Sequence, residues 1–207
     1  EETKAEYTDD IDDPDKLPRK FYVDNVTVAI ATQLVYELDP NGKKLRVIKF
    51  TDYTREQVTS MFASSAELRS KWSKRVEREA VIAALEDRGI AFESLIEATG
   101  QAEADPFDLL CHVAFNAPLR TRRERAERLK KDQKNFFDHY AGEARAILLE
   151  VLDKYIEHGT AQFKVPDILK VEPVSNHGNV IEITTLFGGP EKLRDALSNM
   201  QNLLYAA

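Results

Sequence analysis

The sequence predicts a mainly α-helical, multi-helix domain with a β-hairpin near its N-terminus. Two patterns support this prediction. From residue 54 onwards, apolar side chains recur at steps of three and four, in segments that begin with capping residues and end at glycines. Between residues 20 and 53, apolar and polar side chains instead alternate on both sides of a turn sequence. With 207 residues and 43% hydrophobic side chains, the chain has enough apolar material to bury a core.

The N-terminal segment is acidic. Glu1–Lys16 holds eight Asp and Glu residues against Lys4 and Lys16, and Pro14 and Pro18 interrupt the segment. Such a composition buries too little apolar surface to offset the entropy lost when a chain becomes ordered. Residues 1–19 are therefore predicted to be an acidic flexible linker. The chain lacks an initiator Met, so we expect it to be part of a longer protein.

The hairpin prediction rests on residues 26–50. Apolar side chains alternate over residues 26–38, Asp39-Pro40-Asn41-Gly42 is a strong turn signal, and a second apolar run covers residues 45–50. Thr32 and Gln33 mark a bulge or a break in the first strand. Because two strands alone are marginally stable in water, residues 20–53 are predicted to pack on the helices or to pair with strands of a preceding domain.

Residues 54–207 are predicted to form a helical domain. Capping-box patterns start two helices, at Thr54 and at Ser64. The second is predicted to run as one long helix to Gly89, because apolar side chains recur in it at steps of four. These side chains are Leu68, Trp72, Val76 and Ala80. Later helices are predicted over residues 90–99, 144–158, 180–187 and 190–204, with a mostly irregular connector over residues 163–179.

The stretch from Asp105 to Lys131 joins two helices of opposite character. Asp105 is predicted to cap the first, with a proline at its first position, and this helix is apolar as far as Asn116. Thr121, with Glu124 three residues later, predicts a capping box at the start of the second. The second helix is rich in cations and is predicted to extend towards Tyr140.

The cations of this second helix are the candidate binding residues of the chain. Arginine predominates, and its planar guanidinium suits bidentate contact with carboxylates or phosphates. Because the formal net charge of the chain is −7, the helix is a local basic region in an acidic protein. Three interpretations stay open: contact with an acidic protein surface, contact with a nucleic-acid backbone, or a solvated face paired with the domain's own acids. The candidate partner- or DNA-binding residues are Arg120, Arg122, Arg123, Arg125, Arg128, Lys130 and Lys131.

No catalytic or metal-binding pattern is found in the sequence. A GxxxxGK[ST] phosphate loop is absent, and the four histidines form no HExxH motif. His112 follows Cys111 on an apolar helix, where neighbouring side chains point about 100° apart and make no nucleophile–base pair. A lone Cys111 also excludes a disulfide framework and a cysteine metal site. We therefore expect no catalytic residue, no metal and no cofactor in these 207 residues.

The sequence favours a cytoplasmic protein. A single cysteine is typical of a reducing compartment. No apolar run approaches the roughly 20 residues that a membrane span needs, and no signal peptide is visible. We therefore expect no membrane contact.

Long stretches of the sequence resemble one protein family. DPFDLLCHVAFNAPLRTRRERAERLKK, ARAILLEVLDKYIEHGT and DILKVEPVSNHGNVIEITTLFGGPEKLRDAL closely resemble the C-terminal domain of the R subunit of type I restriction–modification enzymes, in the EcoEI-like branch. The earlier stretch LVYELDPNGKKLRVIKFTDYTREQV resembles the segment that joins the helicase portion to that domain. The resemblance extends from Phe21 to Tyr205.

The resemblance implies a part in a larger enzyme. The R subunit of this family is an ATP-dependent DNA translocase and endonuclease that uses ATP and Mg, and its nuclease and helicase-like motor domains precede this region. The C-terminal domain is associated with docking the R subunit onto a methyltransferase core of modification and specificity subunits. The family's nuclease and Walker residues have no matching positions here, so no catalytic residue is transferred.

From the resemblance we predict that residues 54–207 are a non-catalytic, C-terminal assembly domain that docks an R subunit onto the methyltransferase core. Residues 20–53 would join it to the preceding helicase-like motor domains. The alternative is a DNA-path module, in which the same cations hold the backbone of duplex DNA during translocation. A DNA contact predicts affinity that falls steeply with salt. Docking predicts binding to the core without DNA.

Overall fold

The computed structural model describes residues 19–24, 26–31, 33–140 and 142–206. In these residues ten α-helices follow an antiparallel sheet, so the chain is mainly α, as predicted. The predicted acidic linker, residues 1–19, lies outside the described residues except for Arg19, which begins the first strand. Within the described part of the chain, no helix combines the length and the apolar content needed to cross a bilayer.

The N-terminal sheet has four strands, whereas the sequence predicted a two-stranded hairpin. The strands pair in sequence order, each antiparallel to the next. They are β1 (Arg19–Val23), β2 (Val26–Ala31), β3 (Leu34–Leu38) and β4 (Lys44–Lys49). The predicted break near Gln33 is a chain reversal between β2 and β3. The sequence analysis missed β1 because its short alternation of Phe21 and Val23 directly follows the acidic segment.

The tip of the β3–β4 hairpin is the predicted turn. The Asp39 carboxylate accepts backbone N–H bonds from Asn41 (2.9 Å) and Lys43 (2.8 Å). The inner face of the sheet buries Val28 and Val35 in the same hydrophobic core as the helices. The sheet therefore gains the packing partner that two isolated strands would lack.

Four helices follow the sheet: α1 (Phe50–Met61), α2 (Ser65–Trp72), α3 (Arg75–Glu86) and α4 (Phe92–Thr99). The predicted cap at Thr54 is wrong, because α1 already begins at Phe50. Thr54 is buried inside α1, and its hydroxyl donates to the Phe50 carbonyl (2.8 Å). Phe50, the first residue of α1 and the one directly after β4, is completely buried in the core.

The long helix predicted from Ser64 is divided at residues 73–74. Ser64 caps α2 as predicted. α2 ends at Trp72, whose carbonyl accepts a hydrogen bond from the buried Arg78 (3.2 Å). The interruption changes the rotation of α3, so that Leu85 is buried whereas Val76, predicted to face inward, is 77% exposed. The four-residue period therefore does not continue across the junction.

Six further helices complete the fold: α5 (Pro106–Phe115), α6 (Arg122–Asp132), α7 (Lys134–Asp138), α8 (Gly142–His158), α9 (Val180–Leu186) and α10 (Pro190–Ala206). The basic helix is α6, and it ends at Asp132 before the separate short helix α7. Three 3₁₀ turns lie between α8 and α9, and the first of them ends where the predicted irregular connector begins. These are Thr160–Phe163, Asp167–Lys170 and Val174–His177.

An aromatic cluster connects helices that are distant in sequence. The ring centroid of Trp72 in α2 lies 5.9 Å from Phe92, 6.0 Å from Phe107 and 6.5 Å from Tyr205. Phe107 and Tyr205 also meet edge to face at 5.6 Å. These contacts hold α10, at the end of the described chain, against α5, and α5 in turn positions the basic helix.

Candidate functional site

Helix α6 carries most of the predicted binding residues, and its start is fixed as the sequence predicts. The Thr121 hydroxyl accepts from the Glu124 N–H (3.1 Å), and the Glu124 carboxylate accepts from the Thr121 N–H (2.8 Å), which completes a capping box. These hydrogen bonds hold the pKa of Glu124 below its ordinary value. Thr121 also forms an antiparallel bridge with Ala104. The N-terminus of α6 is thereby attached to the segment before α5.

Arg125 lies in the core and is only 3% exposed. Its guanidinium donates twice to the Asp108 carboxylate of α5 and once to the Leu204 carbonyl of α10 (2.7 Å). The rings of Phe107 and Tyr205 lie 5.0 and 4.9 Å from it, within the range of cation–π attraction. Arg125 therefore joins three helices. This is a correction to the predicted contact set, because a partner cannot reach a guanidinium whose neighbours fill the space around it.

Arg125 and Asp108 stabilise each other's charged forms. Burial raises the pKa of Asp108, and the hydrogen bonds from Arg125 oppose that rise. Burial acts to lower the pKa of Arg125, but Asp108 raises it above its ordinary value. Because arginine stays protonated at any ordinary pH, the guanidinium is cationic and keeps the carboxylate as its partner.

A second buried polar group lies beside this ion pair, and the sequence analysis missed it. Asp105, the predicted cap of α5, accepts hydrogen bonds from the Phe107 N–H (2.8 Å) and from the hydroxyls of Tyr155 (2.5 Å) and Tyr205 (3.0 Å). Burial raises the pKa of both tyrosines well above its ordinary value, so the hydroxyls remain donors. Each tyrosine fits the apolar spacing of its helix. The available signal was that a tyrosine buried in such a stripe needs a polar partner.

Arg122 also faces the protein interior. It is half-buried, and its guanidinium donates to the backbone carbonyls of Ile156 in α8 (3.0 Å) and Ala104 before α5 (3.2 Å). Arg122 and Arg125 thus attach the inner side of α6 to the rest of the domain. Both were predicted contact residues, and both serve the fold in this arrangement.

Two outward cations of α6 form ion pairs with carboxylates of the domain. Arg128 donates to Asp132 (3.2 Å), and Lys130 donates to Glu127 (3.3 Å) and to Asp153 of α8 (3.2 Å). All of these side chains keep contact with solvent, and such pairs contribute about 0–1 kcal/mol to stability. Arg128 and Lys130 can therefore exchange these partners for an external carboxylate at small energetic cost.

The remaining predicted cations are Arg123, Lys131 and Arg120. Arg123 and Lys131 are exposed and form no ion pair with a described residue. Arg120 is half-buried just before α6 and lines a narrow cleft between α6 and α10 with Arg128 and Leu203. We call the solvent-accessible cations the outer surface of α6, and they are Arg120, Arg123, Arg128, Lys130 and Lys131.

Cys111 and His112, the other residues considered for a chemical role, have surroundings typical of structural residues. Burial raises the pKa of the Cys111 thiol to about 12, so the thiolate that would act as a nucleophile is scarce. The His112 ring nitrogen Nδ1 lies 2.9 Å from the Ala117 carbonyl at the end of α5. Among the residues that the structure describes, no group of His, Cys, Asp and Glu side chains is placed to hold a metal ion.

Comparison with known proteins assigns the chain to a family. A family model for the C-terminal region of the EcoEI R protein matches residues 49–205, more than half of the chain. The chain belongs to the EcoEI R protein C-terminal family. It is also 38% identical, over 203 residues, to the endonuclease subunit of the type I restriction enzyme EcoAI from Escherichia coli. The resemblance recognised in the sequence is thereby confirmed.

This EcoEI R C-terminal chain spans a quarter of the length of the curated relative that it matches. The match covers 96% of this chain and 25% of the EcoAI subunit. Because the family model begins at residue 49, most of the sheet precedes the region that the model describes. No solved structure gives a significant match to the chain.

Proposed function

We propose that this EcoEI R C-terminal domain is a non-catalytic assembly module that docks a type I restriction R subunit onto a methyltransferase core of modification and specificity subunits. One observation carries the proposal. The inner side of α6 is attached through Arg122 and Arg125, while the outer surface of α6 presents its cations to solvent. A charged helix held rigidly loses little entropy on binding, so it suits a docking role.

The charge pattern of this surface favours a protein partner over DNA. Glu124, Glu127 and Asp132 lie between the cations, and Arg128 and Lys130 are paired with carboxylates. Duplex DNA presents closely spaced phosphates and is bound by cations that neutralise them. A protein surface with charges of both signs complements a mixed pattern better. The formal net charge of −7 also opposes general attraction to DNA.

A DNA-path module is the second candidate. It is favoured by Arg123 and Lys131, which are exposed and form no ion pair within the described residues. In this role the two side chains would hold phosphates of duplex DNA during translocation. Affinity would then fall steeply with salt.

The resemblance to the EcoAI endonuclease subunit supports a wider proposal for the whole protein. We propose a cytoplasmic R subunit that uses ATP and Mg to translocate and cleave DNA, with its nuclease and helicase-like motor domains outside these 207 residues. The support is the relative's name and the quarter of its length that the match covers.

A pull-down of this chain with purified methyltransferase core, without DNA, tests the docking proposal. We expect the double charge reversal Arg123→Glu with Lys131→Glu to weaken capture by at least about tenfold, because complementary charges would become like charges. The control is Lys164→Glu with Lys170→Glu, at two exposed lysines between α8 and α9. It makes the same change in net charge and should leave capture unchanged.

The outcomes separate the two candidates. Capture that survives the reversal on α6 contradicts the role of this surface in docking. Salt-sensitive binding of the chain to duplex DNA alone, lost in the same variant, favours the DNA-path module. If the chain binds neither the core nor DNA, both assignments of the surface fail.

A further inference from the structure

One side of the N-terminal sheet carries apolar side chains that are open to solvent. Tyr22 is 83% exposed, Leu45 59%, Val47 41% and Leu34 40%. Single exposed apolar residues are ordinary, but a contiguous group marks an interaction site. The strand register decides whether these side chains are contiguous.

The register places Tyr22, Leu34 and Val47 together on one face. Paired residues of neighbouring strands point to the same face of a sheet. Tyr36 of β3 pairs with Val47 of β4, and Thr27 of β2 pairs with both Tyr22 of β1 and Leu38 of β3. Leu34 lies two residues before Tyr36 and so shares its face, and Leu45 lies at the register shift in β4. We call this the outer face of the sheet, and its apolar members are Tyr22, Leu34, Tyr36, Leu38 and Val47.

Lysines surround the apolar centre of the outer face. Lys49 pairs with Leu34, and Lys20 lies in the cross-strand row that also contains Tyr36. The Lys44 ammonium lies 4.7 Å from the centroid of the Tyr36 ring. The outer face therefore combines an apolar centre with a cationic edge, which is the arrangement of a protein interface with a charged rim.

The acidic residue of the four strands does not balance these lysines. Glu37 pairs with Val28, which is buried, so Glu37 belongs to the inner face. Its carboxylate accepts a hydrogen bond from Arg46 (2.6 Å), which also binds Glu56 of α1. The strand residues of the outer face thus contain no carboxylate.

A second copy of the chain and single-stranded nucleic acid fit the outer face less well than a protein surface of opposite charge. In a twofold dimer the same patch meets itself, so its lysines would meet strands that carry no carboxylate. Asp39 lies at the edge of the patch beside Lys20 and Tyr22, but its carboxylate already accepts two hydrogen bonds within its own turn.

Single-stranded nucleic acid gains affinity from aromatic stacking and from cations. Tyr22 and Tyr36 offer rings to a base, but Leu34, Leu38 and Val47 beside them are aliphatic and gain from burial rather than from stacking. An apolar protein surface with acidic residues at its edge satisfies both features of this face.

The length of the EcoAI subunit indicates which protein surface covers the outer face. The match to the EcoAI subunit covers 96% of this chain, so it includes the sheet, yet it accounts for 25% of that subunit. The family model is of a C-terminal region and begins at residue 49, at the end of β4. In a subunit of that length, the sheet stands between the C-terminal helices and the rest of the polypeptide.

We propose that the outer face of the sheet packs against the preceding part of the same subunit, on an apolar surface edged by carboxylates. This inference rests on one part of the proposed function, namely that the chain belongs to a longer R subunit. It does not depend on docking to the methyltransferase core.

Cysteine labelling tests the proposal. Tyr22→Cys and Val47→Cys place a thiol on the outer face, and the control Asn199→Cys places one on the exposed side of α10. Native Cys111 is buried and its thiol pKa is raised, so we expect it to react slowly in both proteins. We expect both outer-face cysteines to react with maleimide readily in the 207-residue chain, and more than about tenfold slower in the full-length subunit because the face is covered there. The control should react equally in both.

Equal rates in the two proteins would overturn the proposal. Slow labelling already in the 207-residue chain would overturn it too, because the chain itself or a second copy would then cover the face. So would protection of the 207-residue chain by a single-stranded oligonucleotide. No methyltransferase core is present, so protection in the full-length subunit supports this inference even if the docking pull-down fails.

Discussion

Among single residues, Arg125 contributes most visibly to the position of the basic helix. It lies on the same stripe of α6 as Ala126 and Leu129, both of which are buried. The stripe faces α5 and α10, so the guanidinium meets Asp108 and the Leu204 carbonyl. Breaking such a buried pair is costly because the remaining charge has no partner, even where the pair itself adds little net stability.

Arg125→Ala should therefore destabilise the fold strongly. The Asp108 carboxylate would remain buried without its cation, and we expect a loss of about 3–5 kcal/mol in the free energy of unfolding, measured by urea titration. Arg123→Ala, on the exposed side of the same helix, should change it by no more than about 0.5 kcal/mol. Similar values for the two variants would contradict the buried position of Arg125.

Cys111 offers a test of burial that does not depend on substitution. Because burial raises the pKa of its thiol to about 12, the folded chain holds less thiolate at pH 8 than the unfolded chain does. We expect a thiol reagent at pH 8 to react with the folded chain more than about a hundredfold slower than with the chain in urea. Equal rates would mean that α5 leaves Cys111 open to solvent.

Among the elements, the contact between the sheet and the end of α3 is the one that a single glycine controls. Gly89 has φ +77°, and a Cβ there would lie 2.5 Å from Ile30 Cδ1 and 2.6 Å from the Phe21 ring. The glycine was predicted as a helix stop. The structure adds that β1 and β2 press on this turn, so the position requires both a left-handed backbone and the absence of a side chain.

Gly89→Ala and Gly100→Ala separate these two requirements. Gly100 also has a left-handed backbone, with φ +69°, but open space surrounds the position of its Cβ. We expect Gly100→Ala to cost about 1 kcal/mol from backbone strain alone. Gly89→Ala should cost more than about 2 kcal/mol, because displaced core side chains add to the strain. Equal losses in urea unfolding would contradict the packing of the sheet on this turn.

For the whole molecule, the central feature is one hydrophobic core that runs from the sheet into the helices. Val35 of β3 and Trp72 of α2 are both members of it. Tyr53 of α1 adds a polar link, since its hydroxyl donates to the Arg88 carbonyl after α3 (2.9 Å). A shared core predicts that sheet and helices unfold together.

This cooperativity can be measured with the single tryptophan. Val35→Ala, in the sheet, should lower the free energy of unfolding reported by Trp72 fluorescence by about 2 kcal/mol, because two buried methyl groups are lost. Circular dichroism should give the same midpoint. The matched control Val76→Ala, at a side chain 77% exposed, should change it by no more than about 0.5 kcal/mol. A fluorescence midpoint unaffected by Val35→Ala would show that the sheet unfolds independently.

Local features of the fold followed from the sequence. The caps at Ser64, Asp105 and Thr121 and the turn after Asp39 were all predicted, because each depends on side chains within a few residues of one another. The family also followed, since long stretches of side chains identify it without any knowledge of their contacts. One prediction failed because the four-residue apolar period was extended past the end of a helix. The long helix predicted from Ser64 ends at Trp72.

The roles of the cations depended on contacts between distant segments. Arg123 and Arg125 are the same residue type two positions apart, and the sequence analysis treated them alike. Asp108 lies 17 residues away and Leu204 lies 79 residues away, and Arg125 packs against both and is buried, whereas Arg123 stays exposed. The open face of the sheet has the same origin, because strand pairing sets which side chains share a face and helix packing covers the other. Burial is a property of packed surfaces, and a linear pattern of residue types does not contain it.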